Sequence, residues 1–475
     1  MNPNRGKPRP WPGPLLAASA ALVLAGCAGI EPGSSMRGVN QDVQGRLGTA
    51  LRVELHADAA PADRVDALLK VPLNPDAAVQ LALLNNRSLQ SRLHALGATE
   101  AEAMQASRLP NPGFSFGRMK KGDEIELERG LHFNLARLLT LPLASRAEAR
   151  RLDAARREAA MDVLALAAGT RKAWVQAVAA AETVRYMRQV QEAAEAGAEL
   201  ARRMEAVGNF NKLMRAREQG FYADATLGLA KAQRAEKASR ERLIRWLGLW
   251  GAQAQALVLP ERLPDLPEAP KDQPDVERQA MAQRLDVQAA TLAAEQTAKN
   301  LGLTRATRFV NVLEFGLVRN TSNEGPRQTG WEVALELPLF DWGGARVARA
   351  EAVYRQALHA ASSTAINARS EVREAYGNYR FAYDIARHHR DELVPLKKRI
   401  SEEQVLRYNG MLIGVFELLA DARSQVGSVN ASIEALRDFW LAQADLDQAL
   451  IGKADLAMPN TNLDPVAANE AGGGH

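Results

Sequence analysis

The chain has 475 residues, of which 60 are basic and 56 acidic; 47% are hydrophobic, 5% aromatic, and one is a cysteine. The near-balance of charge argues against a nucleic-acid-binding role, which needs a concentrated basic surface. With one cysteine no internal disulfide can form, so packing alone must hold the fold, and the length predicts two to four domains.

The N-terminus comes first in the order of inference. Arg5, Lys7 and Arg9 form a positively charged start without an acidic residue, an apolar run extends from Leu15 to Ala25, and small residues follow at Ala25 and Gly26. That order reads as a secretory signal over residues 1–26. Its apolar run is too short to span a bilayer, which needs about 20 residues. Leu24-Ala25-Gly26-Cys27 resembles the bacterial lipobox, in which the peptide is cut before the cysteine and lipid is joined to its sulfur. The resemblance implies a covalent lipid on Cys27, with no other cofactor; the alternative is an ordinary signal peptide with an accidental cysteine. Cleavage would remove three of the 60 basic residues and leave 57 against 56 acidic ones. Ala28 in second position resembles the outer-membrane address of enterobacterial lipoproteins. Residues 27–74 are poorly periodic and read as a tether with a little local structure. Beyond residue 27 no stretch reads as a transmembrane helix, so any membrane crossing would require a closed β-barrel.

The remainder repeats itself. Leu141-Pro142-Leu143 recurs as Leu337-Pro338-Leu339, Trp174 has a counterpart in Tyr376, Gly208 in Gly410, and Leu247-Gly248 in Ile451-Gly452. Spacings near 200 residues are too long for a short-period solenoid and read as duplication of one large unit. The first repeat covers 75–259 and the second 275–452. Between them, residues 260–274 carry five prolines and form a connector that cannot be helical. Residues 453–475, ending in three glycines and a histidine, read as a disordered tail.

Each repeat reads as helix, strand pair, very long helix, turn, long helix. The leading helices are expected at about 75–108 and 274–305. The long ones are expected at about 144–206 and 211–250, then 346–407 and 415–451. Sixty helical residues reach about 90 Å, far beyond the elements of an ordinary compact core. In the strands the period changes to two. Ile125, Leu127, Leu131, Phe133 and Leu135 alternate with Glu124, Glu126, Glu128, His132 and Asn134; Trp331, Val333, Leu335 and Leu337 alternate with Glu332, Ala334 and Glu336. Partner strands are expected at 114–119 and about 310–318, with a bulge where the apolar phase shifts between Val312 and Leu313. Each pair reads as an antiparallel hairpin. Two hairpins supply four strands, whereas a membrane barrel needs at least eight. If these strands meet lipid, several chains must share one barrel.

A lipobox, a duplicated unit of two strands and two long helices, Leu-Pro-Leu after each second strand, and a glycine-containing hairpin tip together resemble the TolC-like outer-membrane efflux proteins. The stretch Arg407-Tyr408-Asn409-Gly410 and the following Glu417-Leu418-Leu419-Ala420-Asp421-Ala422 are similar to that family's tip and next helix. The resemblance covers about 75–452. It implies a mainly α fold with a small β part, a homotrimer sharing a twelve-strand barrel in outer-membrane lipid, and an α-helical tunnel. It also implies a periplasmic adaptor and an inner-membrane pump of RND type, with no chemistry in the channel itself. The exit duct of a type I protein secretion system would have the same fold; gene neighbourhood separates the two. A periplasmic coiled-coil scaffold without a pore is the rival of a different class, and it predicts strands packed on protein.

The residues that follow from this reading are few. Gly208, Asn209, Gly410 and Gly414 fall at expected hairpin tips, where glycine permits the positive φ of a turn and the resemblance adds adaptor docking. Glu417 and Asp421 are candidates for an acidic ring at a periplasmic aperture; the alternative is ordinary surface pairing with Arg423 or a neighbour. Here the family's usual Val-Leu-Asp-Ala is replaced by Glu417-Leu418-Leu419-Ala420-Asp421-Ala422. Glu126, Glu332 and Glu336 fall on the polar strand face and would line a barrel lumen, with Trp331 in an aromatic belt. No catalytic or metal-binding constellation is legible. His388 and His389 are adjacent and would point about 100° apart on a helix.

Overall fold

The computed structural model describes residues 33–47, 53–55, 62–308, 312–336 and 339–453. The signal segment, Cys27, Leu337-Pro338 and the tail after Lys453 lie outside them. The described residues fall into two compact units, and each draws on both halves of the sequence.

The first unit, which takes in Ser91–Ala160 and Gln288–Ser363, holds the β structure. Strands β1 (Gly113–Lys121), β2 (Glu124–Asn134), β3 (Leu313–Ser322) and β4 (Gln328–Leu335) form one sheet in the order β1-β2-β3-β4, every neighbour antiparallel. The two hairpins, about 190 residues apart in sequence, are joined edge to edge by β2 and β3. Asn323 fixes that junction: its Oδ1 accepts from Ile125 N at 2.7 Å and its Nδ2 donates to Asp123 O at 3.0 Å. No bulge interrupts the β3–β4 ladder, whose register runs unbroken from Leu313 to Asn320. The phase shift at Val312 is the start of the strand rather than a fault within it.

Helices α1 (Ser34–Leu47), α4 (Arg87–Ala106), α5 (Leu135–Ala206), α9 (Leu285–Thr307) and α10 (Gly344–His388) supply helical segments to this unit. Glu100 on α4 accepts from Ser34 Oγ at 2.8 Å and from Ser35 N at 3.2 Å, tying the start of α1 down. The helix expected at about 144 begins at Leu135, directly from β2. Asn134 Oδ1 caps it by accepting from Arg137 N at 2.8 Å. Leu141-Pro142-Leu143 therefore sits inside the helix and does not precede it. Pro142 removes one donor to the carbonyl four residues back, that of Leu138.

The second unit takes in Val43–Gln90, Met161–Val287 and the chain from Thr364. Its elements are α2 (Ala62–Leu69), α3 (Pro75–Asn85), α6 (Lys212–Leu247), α7 (Ala252–Ala256), α8 (Val276–Gln283), α11 (Val394–Asn409), α12 (Val415–Ala449) and the later parts of α5 and α10. Both leading helices, expected to be continuous, are broken by one extended residue, Asn86 (ψ 110°) and Arg284 (ψ 121°). The two breaks have the same cause. Asn86 Nδ2 donates to Trp246 O at 3.0 Å, and Arg284 Nη1 donates to Ala449 O at 3.1 Å. Each side chain satisfies a carbonyl in the final turn of its half's last helix, where helical carbonyls lack donors. The same duplication shows at the aromatic pair. Trp174 Nε1 donates to Leu73 O at 2.6 Å, and Tyr376 Oη donates to Asp272 at 3.1 Å; each acceptor lies just before its half's first helix.

The proline-rich connector is a strap held by side chains. Tyr379 Oη accepts from Lys271 N at 2.8 Å, Tyr383 Oη donates to Glu268 O at 2.6 Å, and Trp440 Nε1 donates to Pro264 O at 3.0 Å. Tyr379 and Tyr383 both pack against Phe439, with ring centroids 5.6 and 5.8 Å apart, in a core that also holds Val372 and Leu446. The prolines keep this segment from forming a helix ladder, so its backbone N–H and C=O groups pair with these hydroxyls and the indole instead. Glu182 accepts from Leu263 N at 3.4 Å, and its burial pushes the carboxyl above its usual range.

The long helix expected over 346–407 is interrupted by a π-helical turn, His389–Leu393, between α10 and α11. Pro395 follows within two residues; it cannot donate to the carbonyl four back, and the wider turn accommodates that loss.

Candidate functional site

The sheet has two chemically different faces, and the register assigns every side chain to one of them. Cα partners across the ladders share a face. Gly113, His132, Gly316 and Glu332 form one row, and Ser115, Gly130, Val318 and Gly330 the next. Two-residue steps then place Glu124, Glu126, Glu128, Glu314 and Glu332 on the same side, with Glu336 continuing it past the strand end. Thus the predicted lumen residues Glu126, Glu332 and Glu336 do share a face, and sequence reading omitted Glu314. Sidedness could not be assigned to Glu314 without knowing that β3 starts at Leu313.

Within this face a short chain of contacts fixes His132. Ser115 Oγ lies 2.8 Å from its Nε2, and Glu332 Oε1 lies 3.1 Å from its Nδ1. Gly130 and Gly316 make the room. A Cβ at Gly316 would meet the Glu332 side chain at 2.6 Å, and one at Gly130 would meet Ser115 Oγ at 2.4 Å. Glu124 accepts from Ser322 Oγ at 3.0 Å. A surface of carboxylates with so few cations attracts cations and repels anions.

The opposite face carries Phe114, Leu131, Leu317 and Trp331 in one row and Phe133, Phe315 and Val333 in the next. Phe114 is 70% exposed and Trp331 72% exposed, so among the described residues nothing covers this apolar face. The outer strands β1 and β4 each pair on one side only. An exposed apolar sheet with two open edges is not a stable surface in water.

The hairpin tips are Schellman turns of the same design, and the second is displaced by one residue from the sequence expectation. In the first, Asn209 N donates to Met204 O and Gly208 N to Glu205 O, both at 2.9 Å, and Gly208 has φ +80°. Asn211 then caps α6, its Oδ1 accepting from Met214 N at 2.8 Å. In the second, Leu412 N donates to Arg407 O and Met411 N to Tyr408 O, also at 2.9 Å. The left-handed residue there is Met411, at φ +58°, while Gly410 has φ −79° and Gly414, the N-cap of α12, has φ −85°. The positive-φ argument therefore holds for Gly208 and fails for Gly410 and Gly414. The structural counterpart of Gly208 is Met411, and Asn209 is matched by Leu412. Met411 and Leu412 are 93% and 77% exposed.

Glu417 is exposed in the first turn of α12, where the helix dipole favours a carboxylate. Asp421 is half-buried. Among the described residues neither forms an ion pair, and Arg423, the partner that the surface-pairing alternative gave them, is engaged elsewhere: its Nη2 donates to Glu218 Oε1 at 2.6 Å and its guanidinium lies 4.6 Å from the Phe221 ring centroid. Glu218 is 2% exposed and was not singled out from sequence; nothing in its local pattern distinguishes it from the solvated glutamates around it. Near the first tip, hydrogen bonds from Arg202 and Arg203 hold the Glu199 carboxyl down to about 2. Among the described residues no group of three or more His, Cys, Asp or Glu is placed to hold a metal, and no helix is long and apolar enough to cross a membrane.

No protein-family model and no curated protein matches the chain. Solved structures do. The Campylobacter jejuni CmeC outer membrane channel aligns with a TM-score of 0.68 at 17% identity, covering 84% of this chain and 89% of that one. A membrane protein from Pseudomonas aeruginosa aligns with a TM-score of 0.67 at 22% identity, covering 83% and 95%. CusC, described for its transmembrane channel formation, aligns with a TM-score of 0.66 at 17% identity, covering 84% and 96%. These likenesses show the fold: a mainly helical, TolC-like chain with a small four-stranded sheet.

Proposed function

We propose that this TolC-like chain is the outer-membrane channel of a tripartite efflux system, a passive conduit from periplasm to exterior for small toxic compounds or ions. One observation carries the reading: a four-stranded sheet with one apolar face uncovered, one acidic face opposite it, and both edges unpaired. Adding β1 of a second copy to β4 of the first continues the antiparallel alternation, so copies close into a barrel without any strand changing direction. Closure removes the edges, turns the apolar face to lipid and encloses the carboxylates. Three copies give twelve strands, within the range of membrane barrels. The fold's likeness to outer membrane channels supports the same assembly.

The reading extends to the partners. A periplasmic adaptor would meet the tips around Gly208-Asn209 and Met411-Leu412, and an inner-membrane pump of RND type would supply energy. Cys27 would carry the lipid anchor, and Glu417 and Asp421 would ring the aperture. No step of chemistry is required of the channel.

Planar-bilayer recording tests the proposal. The purified protein should form a heat-modifiable oligomer and conduct with cation preference, and E126Q/E332Q/E336Q should reduce that preference. Absence of conductance together with absence of the oligomer would exclude a channel. Deletion followed by drug, detergent and metal challenge tests efflux specifically, and mass measurement of the mature chain against C27A tests the lipid.

A further inference from the structure

The charges of the sheet are sorted by face. All five strand glutamates lie on the polar face, whereas four of the five strand cations, Arg118, Lys120, Arg129 and Arg319, lie on the apolar one. Arg129 and Arg319 are register partners in one row, Arg118 sits in the next and Lys120 in the last before the turn. All four gather toward the hairpin-turn end; the rows at the other end, Phe133-Phe315-Val333 and Leu313-Leu335, are wholly apolar. Among the described residues none of the four has a side-chain hydrogen bond or ion pair, and Arg118, Lys120 and Arg319 are exposed. A soluble sheet would gain nothing from placing unpaired cations beside Phe116, Ile125 and Leu127.

We propose that these four cations bind the phosphate groups of anionic lipid at the outer rim of the barrel. The inference rests on the channel reading above, since it takes the apolar face to be the lipid face. Six rows of side chains run from Leu313–Leu335 to Lys120–Ile125, about 33 Å along the strands at ~6.7 Å per row. With a strand tilt of about 40° that becomes roughly 25 Å of height, the thickness of the apolar band of an outer-membrane barrel. The cations occupy its outer half, where long side chains reach the headgroup layer while their stems stay in apolar surroundings. Arg118 and Lys120 lie in the last two rows, where the penalty for a cation falls toward zero, whereas Arg129 and Arg319 lie one row past mid-height and must extend along the surface to reach the headgroups. Guanidinium groups in adjacent strands match paired phosphate oxygens in fork geometry. The occupant is a lipid and not a free anion because each row that holds a cation also holds an apolar side chain, Phe116, Leu127 or Ile125, and the three remaining rows are wholly apolar, offering headgroups and acyl chains their respective partners.

The test uses the whole protein in nanodiscs of phosphatidylcholine containing a minor fraction of phosphorylated glycolipid, with co-purified lipid counted by native mass spectrometry. The protein should enrich the glycolipid over phosphatidylcholine. R118Q, K120Q, R129Q and R319Q should each lower that enrichment about fivefold, the discrimination expected of one cation near an anionic surface. K121Q is the control, because Lys121 pairs with Glu124 in the register and lies on the polar face; it should change nothing. Equal loss from K121Q, no enrichment by the parent, or displacement of the glycolipid by millimolar inorganic phosphate would each overturn the proposal. Conductance in pure phosphatidylcholine should be the same for parent and variants. If the parent forms no oligomer there, the channel reading fails first and this inference with it; if it conducts without enriching the glycolipid, only this inference fails.

Discussion

Replacing Arg284 by methionine should destabilise the second unit more than any other single surface-to-core contact described above. The side chain is 1% exposed and serves four acceptors: Asp286 through Nε at 3.0 Å and Nη2 at 2.6 Å, Glu371 at 2.7 Å, Ala449 O at 3.1 Å and Ala368 O at 3.4 Å. Burial opposes its charge, and the two carboxylates outweigh burial and hold it protonated. Methionine keeps the volume and strands every acceptor. Removing one partner of a buried ion pair costs about 3–5 kcal/mol. Asp286 and Glu371 retain 14% and 20% exposure and so recover some water, which places R284M near the lower end, about 3 kcal/mol. That is roughly a 150-fold shift in a local opening equilibrium. Native-state hydrogen exchange reads it directly, at the amide of Leu285, which donates to Ile451 O at 2.8 Å, and at those of Leu450 and Ile451. The triple variant R284M/D286N/E371Q should lose less than the single one, because no buried charge is left alone. A single-variant cost under about 1 kcal/mol would refute the argument, and a triple variant no better than the single would assign the loss to packing.

Other perturbations separate conformational from electrostatic causes. At the tips, G208A should cost about 1 kcal/mol, since no atom crowds its Cβ and only the positive φ is penalised; G410A should be close to neutral, and M411G should raise the melting temperature. E182Q should leave stability unchanged in acid and raise it at neutral pH. Its carboxyl titrates above the ordinary range when folded, so the folded state binds the proton more tightly. The parent therefore loses stability as pH rises from the unfolded pKa through the raised folded one, and glutamine does not. Urea midpoints at pH 4 and pH 7 check the sign. Y379F/Y383F should free the connector, measured as faster tryptic cleavage after Lys271, whose backbone N–H loses its acceptor.

The alternating patterns at 124–135 and 331–337 located the sheet because an amphipathic strand writes its two faces into successive residues. Boundaries were less legible. β3 begins at Leu313 rather than about 310 because its limits are set by partners in β2 and β4. The helix after β2 begins at Leu135 because Asn134 caps it, a local cue that was present in the sequence and was masked by Pro142. The breaks at Asn86 and Arg284 have no local cause, since each residue leaves the helix to reach carbonyls more than 150 positions away.

The tips show the same division. Glycine abundance pointed to Gly410, but the hydrogen bonds that close the turn put the left-handed conformation on Met411. A glycine next to a turn is permitted any φ, and only the positions of Arg407 and Tyr408 decide which residue must adopt the strained one. Likewise Arg423 was legible as a cation near Glu417 and Asp421, whereas its partner is Glu218 on another helix.

What the sequence determined by itself is periodic or local: two halves, four amphipathic strands, long helices, a proline connector and a signal-like start. Such features depend on residues within a few positions of each other, or on recurrence at a fixed offset. What only the tertiary structure decided is which strand pairs with which, and hence that five glutamates share one face and four cations the other. The reason is geometric. A strand fixes the alternation of its own side chains, but the register between strands fixes which alternations add.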